Sequence, residues 1–122
     1  MKTNKYIPSP IKGMPNAPEA EQAVIGSLLS FGGDKVFDAI SPELNKDMFY
    51  DNRYAVLYDA IQSLYASNKP CDIVSVSNEI RSIGKIEEVP PHFIAETLNY
   101  GFDSFHAVEH ALMVKQKYLQ RK

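Results

Sequence analysis

The chain has one cysteine, Cys71, which excludes a framework of internal disulfides and suits a reducing compartment. It has no run approaching the ~18 apolar residues of a membrane span, and its first eighteen residues lack the apolar centre of a signal peptide. A soluble, cytoplasmic protein is therefore expected. It also has no surplus of positive charge. Thirteen Lys and Arg stand against fifteen Asp and Glu, a formal charge of −2, which is the wrong balance for a domain that holds nucleic acid mainly by its phosphates. Its six glycines are scattered singly or as Gly32-Gly33, so no G-x-x-x-x-G-K-[ST] loop to cradle phosphates is present, and nucleotide hydrolysis by this segment is not expected.

Metal and acid–base chemistry are equally thin. His106 and His110 share the i, i+4 spacing of a ligand pair, but beyond Glu109 and His92 no third ligand stands out. Glu87-Glu88 falls on a connector, and Glu19 and Glu21 fall in a helix's first turn, where acids complement the dipole. No catalytic, cofactor-binding or metal-binding residue is assigned.

What is present is a succession of helix signals. With 122 residues, 44% of them apolar and 23% charged, the chain has the size and balance of one globular domain. Residues 1–15, with Pro8, Pro10 and Pro15, show no apolar period and read as a flexible arm. From Asn16 the pattern changes. Asn16 is placed to cap a helix with Glu19 reaching back and Pro18 in the first turn, and Ala20, Ala23, Val24, Leu28 and Phe31 form its stripe. Gly26 in the middle of that stripe costs about 1 kcal/mol against Ala and points to a second backbone passing close by.

Further on, Gly32-Gly33 ends this helix and Asp34 is positioned to cap a short second one carrying Val36, Phe37 and Ile40. Ser41-Pro42 predicts the start of a brief third helix, after which Met48, Phe49 and Tyr50 turn toward the core. Asp51 then caps the longest pattern, Tyr54, Leu57, Tyr58, Ile61, Leu64 and Tyr65. Asp72 caps another helix with Ile73, Val76, Ile80 and Ile83 inward, stopped by Gly84. A strand competes there, because Ile73-Val74-Ser75-Val76 is β-branched and partly alternating. Pro90-Pro91 opens a helix with Phe93, Ile94 and Leu98. Ser104 is placed to cap the last, whose stripe is Phe105, Val108, Ala111, Leu112, Tyr118 and Leu119, with Met113 and Val114 pointing off it. Lys115, Lys117, Arg121 and Lys122 at its end complement the helix dipole. The expected fold is all-α, a compact bundle of six or seven short helices with a projecting C-terminal helix.

The run P-x-x-x-E-A-E-Q-A-V-I-G-S-L-L resembles the opening helix of the N-terminal domain of bacterial replicative DNA helicases of the hexameric DnaB type. The likeness continues in order through Phe49-Tyr50, Ala60-Ile61, Lys69-Pro70-x-Asp72-x-Val74, Gly84 with Glu87-Glu88-Val89, and Glu109-x-Ala111-x-x-Val114-x-x-Lys117. The sequence departs from that family at Tyr54-Ala55, where a His followed by a basic or amide residue is common, at Pro90-Pro91, where glycines are common, and at His110, where an aromatic is.

The resemblance implies a collar domain over residues 16–122 without the ATPase motor. Such a domain is non-catalytic, and it supports hexamer assembly and primase recruitment. Its implied partners are other helicase subunits and primase, with room for a helicase loader, and DNA is met through the motor. ATP and magnesium are implied only for that motor. The alternatives are a helical domain like the helicase-binding end of bacterial primases, or an independent helical DNA-binding module. Self-association is expected to involve Phe105, Val108, Leu112, Met113, Val114, Tyr118 and Leu119, because a helix apolar on more than one side needs a second partner.

Overall fold

Two aspartates set the best-defined helix starts in this chain. Asp51 and Asp72 both have extended backbone and accept from an N–H of the first turn, Asp51 from Arg53 at 2.9 Å and Asp72 from Ser75 at 2.8 Å. The computed structural model describes residues 17–30, 32–101 and 104–122, and for Ser104 and Phe105 only the backbone. In chain order the elements are α1 (Pro18–Leu29), α2 (Gly33–Ile40), a short 3₁₀ turn (Lys46–Met48), α3 (Asn52–Ala66), α4 (Ile73–Ser82), α5 (Pro91–Leu98) and α6 (Ser104–Arg121). No strand occurs among the described residues, so the all-α expectation stands and the β-branched run at Ile73 is helical.

One core holds these helices together. Val24, Ile25 and Leu28 of α1, Ile40 of α2, Leu57, Tyr58 and Ile61 of α3, Val76 and Ile80 of α4, and Ile94 of α5 are all buried in it. Burying each such side chain is worth about 1.5–3 kcal/mol against leaving it in water. α1 is central, touching α2, α3, α5 and α6. Gly26 lies beside the Thr97 carbonyl and the Gly101 nitrogen, so the second backbone expected there is present. Tyr58, buried at the middle of α3, donates to the Leu44 carbonyl at 3.3 Å, and burial pushes its hydroxyl up to about 12.

Ahead of α3, helix boundaries differ from expectation in three places. Asn16 lies outside the described residues, and the residue at the cap of α1 is Ala17, which offers no side-chain cap. Gly32, not Asp34, precedes α2, because its carbonyl takes the first helical bonds from Lys35 and Val36. Ser41 does not begin a third helix. Its N–H is spent on the Phe37 carbonyl as the C-cap of α2, and the Ile40 carbonyl accepts from Glu43 and Leu44, so the next turn forms only at Lys46 under an Asn45 cap.

Two apolar residues are also displaced outward. Ile83 follows the last residue of α4 with non-helical backbone, leaves the stripe and is exposed. Its neighbour Gly84 ends the helix at a φ of 78°, with the Lys85 N–H returning to the Ile80 carbonyl at 3.0 Å. Tyr50 is exposed too, while Phe49 beside it is buried against Tyr58. Residues 1–15, read as an arm, and Phe31 lie outside the described residues.

Candidate protein interaction surface

α6 is the longest helix and lies along α1 and α2, reaching the 3₁₀ turn at its end. At its last turn the Arg121 guanidinium donates to the Met48 carbonyl at 2.9 Å. Midway, Lys115 pairs with Glu43 at 3.1 Å, a half-exposed ion pair worth at most about 1 kcal/mol. Ser104, expected to cap it, is already helical.

The inward side of α6 is Ala107, Ala111 and Val114, all essentially inaccessible, with Tyr118 half-buried. At about 100° per residue these four fall within roughly 60° of arc. The face is turned by roughly 80° from the stripe expected from the sequence. Val114, expected to point away from the core, is 1% exposed, whereas Leu112 and Leu119, expected on the inward stripe, are 47% and 55% exposed. The reason is packing. Ala107 and Ala111 have side chains small enough to let α6 lie close against α1 and α2, and alternating steps of three and four carry the same face on to Val114 and Tyr118.

The opposite face carries the exposed apolar group. Leu112, Met113 (44% exposed) and Leu119 look outward, with Glu109, Gln116 and Gln120 exposed among them. Of the residues singled out for self-association, these three point away from the core, Leu112 and Leu119 together and Met113 about 100° further round the helix. Val108 is half-buried, Val114 and Tyr118 belong to the inward side, and the Phe105 side chain lies outside the described residues. Exposed apolar side chains on both flanks of a polar line suit a mixed protein interface better than water.

A second feature was missed at the sequence level. Glu21, read as a first-turn acid, is 1% exposed and accepts from the Tyr50 N–H at 2.7 Å and the Asp51 N–H at 3.1 Å. Burial pushes its carboxyl above the usual carboxylate range, opposed by these two bonds and by the charge of Arg121. The signal was available: Ala17, Ala20, Glu21, Val24 and Leu28 follow helical spacing, so Glu21 lies on the buried stripe.

Elsewhere the chemistry is sparse. Burial pushes the Cys71 thiol up to about 11, which makes it a poor nucleophile. Tyr65 beside it donates to the Leu28 carbonyl at 2.9 Å. His106 is exposed and His110 half-buried on α6, and among the described residues no three His, Cys, Asp or Glu side chains gather in a way that could hold a metal. No helix of the described residues is long and apolar enough to cross a membrane. The N-terminus of α5 is flanked by Arg53, whose guanidinium stacks 4.4 Å from the centre of the Phe93 ring and pairs with Asp51 at 2.9 Å. Pro90 and Pro91 occupy its cap and first position.

Comparison with known proteins agrees with this arrangement. The crystal structure of the N-terminal domain of DnaB helicase from Mycobacterium tuberculosis superposes with a TM-score of 0.79 at 26% identity, over 88% of this chain and 78% of that one. The replicative DNA helicase DnaB of Rhodothermus marinus is 31% identical over 110 residues, which is 88% of this chain and 11% of that protein. That of Leifsonia xyli subsp. xyli is 33% identical over 78 residues, 64% of this chain and 17% of that protein. The chain thus spans less than a fifth of the length of either helicase. The family model described as the DnaB-like helicase N terminal domain matches residues 13–116, from ahead of α1 to most of the way along α6. With the same helical bundle and a match over most of its length, the chain belongs to the family of DnaB-like helicase N-terminal domains.

Proposed function

We propose that this chain is the interaction and oligomerisation domain of an ATP-dependent replicative DNA helicase, supporting assembly of the hexamer and recruitment of primase at the fork. ATP, magnesium and DNA are met by a motor region of the parent protein, and this domain supplies surfaces for other helicase subunits, primase and a loader. The observation that carries the reading is the three large apolar side chains Leu112, Met113 and Leu119 left exposed on the outward side of a helix whose other side is already buried. Family membership supplies the helicase context, and a formal charge of −2 favours protein partners over phosphates.

The test is sedimentation of the chain over a concentration series, alone and with a bacterial primase. A concentration-dependent dimer of the chain and a co-sedimenting complex with primase are expected. A strict monomer at high concentration that also ignores primase overturns the reading.

A further inference from the structure

The segment from Met48 to Asp51 joins the 3₁₀ turn to α3, and two helices hold it from different sides. From α1, the buried Glu21 carboxylate takes two consecutive peptide N–H groups, those of Tyr50 and Asp51. From the end of α6, Arg121 donates to the Met48 carbonyl, and its guanidinium lies 5.2 Å from the centre of the Tyr50 ring and 5.9 Å from that of Tyr118. The two grips are themselves linked, because the positive charge of Arg121 favours the ionised form of Glu21. The joint also matters to α3: Asp51 is its cap, so displacing the Asp51 backbone would misalign the side-chain acceptor that serves the Arg53 N–H.

We infer that the Met48–Asp51 joint is a latch that couples docking of the last turn of α6 to the capped start of α3, with Arg121 as a positioning residue on one side and Glu21 on the other. When Arg121 lets go, Glu21 loses its favourable charge, the Tyr50 ring loses the plane it rests on, and the two N–H bonds to Glu21 open more often. By reciprocity, weakening the Glu21 grip loosens the last turn of α6 by the same factor. The latch does not depend on which partner α6 meets, so it stands or falls separately from the proposed function.

Amide exchange followed by NMR tests it, because the Tyr50 and Asp51 amides bond to Glu21 and not to Arg121. In Arg121→Gln, exchange at Tyr50 and Asp51 is expected to quicken about fivefold or more, the lower end of couplings of this kind, with the Ile80 amide in α4 unchanged. Arg121→Lys, which keeps the charge but not the flat guanidinium, is expected to fall between. In Glu21→Gln the amides of Tyr118 and Arg121 should quicken in turn. If Arg121→Gln loosens only the last turn of α6, or raises exchange equally at Ile80, there is no latch. Should Glu21→Gln fail to fold, the Arg121 variants decide alone.

Discussion

Gly26 in α1 and Gly101 after α5 pass so closely that a Cβ on Gly26 would stand 2.8 Å from the Gly101 nitrogen and 2.6 Å from the Thr97 carbonyl oxygen. Both obstacles are backbone, which cannot swing aside as a side chain can. Gly26→Ala gains about 1 kcal/mol of helix propensity. It should lose more through forced separation of α1 from the end of α5, about 1–3 kcal/mol in all for overpacking. A lower urea midpoint is the expected result, and an unchanged or higher one would mean that the crossing yields easily.

Leu57 is fully buried in the middle of α3. Leu57→Ala should cost about 2–5 kcal/mol through lost burial and the remaining cavity. Lys122→Ala, by contrast, should stay within about 0.5 kcal/mol, since Lys122 is exposed and its ammonium lies 5.3 Å from the centre of the Tyr118 ring. Equal urea midpoints for Leu57→Ala and the parent would contradict this placement.

The two sides of α6 separate association from folding. Leu112→Glu combined with Met113→Glu should abolish self-association in sedimentation while the helical circular dichroism and the melting temperature stay near the parent's. Val114→Glu, which places a carboxylate in the core, should lower the melting temperature sharply or prevent folding. The reverse pattern would show that the face has been assigned backwards.

These cases also show what was legible in the sequence. α3 and α4 were readable because their signals are local: a capping aspartate, a helical stripe, and in α4 a stopping glycine, all within a dozen or so residues. The inward face of α6 was not. Period alone offers two apolar stripes on that helix, and the choice between them rests on how closely α1 and α2 approach, which favours the alanines over the bulkier leucines. For Glu21 the spacing placed it on the buried stripe, but what satisfies it there was not legible. A carboxylate is tolerated on a buried stripe only when donors arrive to meet it, and the Tyr50 and Asp51 N–H groups come from a distant part of the chain.

Glu21 gives a pH prediction with a definite sign. Its folded carboxyl sits above the ordinary value of 4.5, mainly through burial, against the pull of the Tyr50 and Asp51 N–H groups and Arg121 and with the added repulsion of Asp51. A group raised on folding contributes stability that is fully present below its unfolded value and is lost as pH rises through the folded one. The parent should therefore gain stability from this group as pH falls from neutral toward the ordinary carboxylate range. Glu21→Gln cannot follow. Its deficit in urea midpoint relative to the parent should be larger at pH 5 than at pH 7, and an equal deficit at both would count against the buried ionised carboxylate. Asp51 works the other way. Burial opposes its ionisation, but the hydrogen bonds from Arg53 outweigh that and hold it below the usual value, so its contribution is lost only as pH falls through that lowered value.

The missing phosphate loop predicts that the purified 122-residue chain neither turns over ATP nor unwinds duplex DNA. A coupled-enzyme assay and a strand-displacement assay check this. Steady turnover that follows the chain through successive purification steps would refute it.

Pro90 and Pro91, side by side at the start of α5, have one more effect, on how this molecule can be observed. Neither carries an amide proton, so a spectrum that reports one signal per peptide N–H is blank between Val89 and His92, beside the stacked Arg53 and Phe93. A partner landing on these two prolines would be seen in amide shifts only through their neighbours. Ring protons of Phe93 and Tyr54, whose centroids lie 5.5 Å apart, would register it instead, so mapping of binding surfaces on this domain should be read from aromatic signals as well as from the backbone.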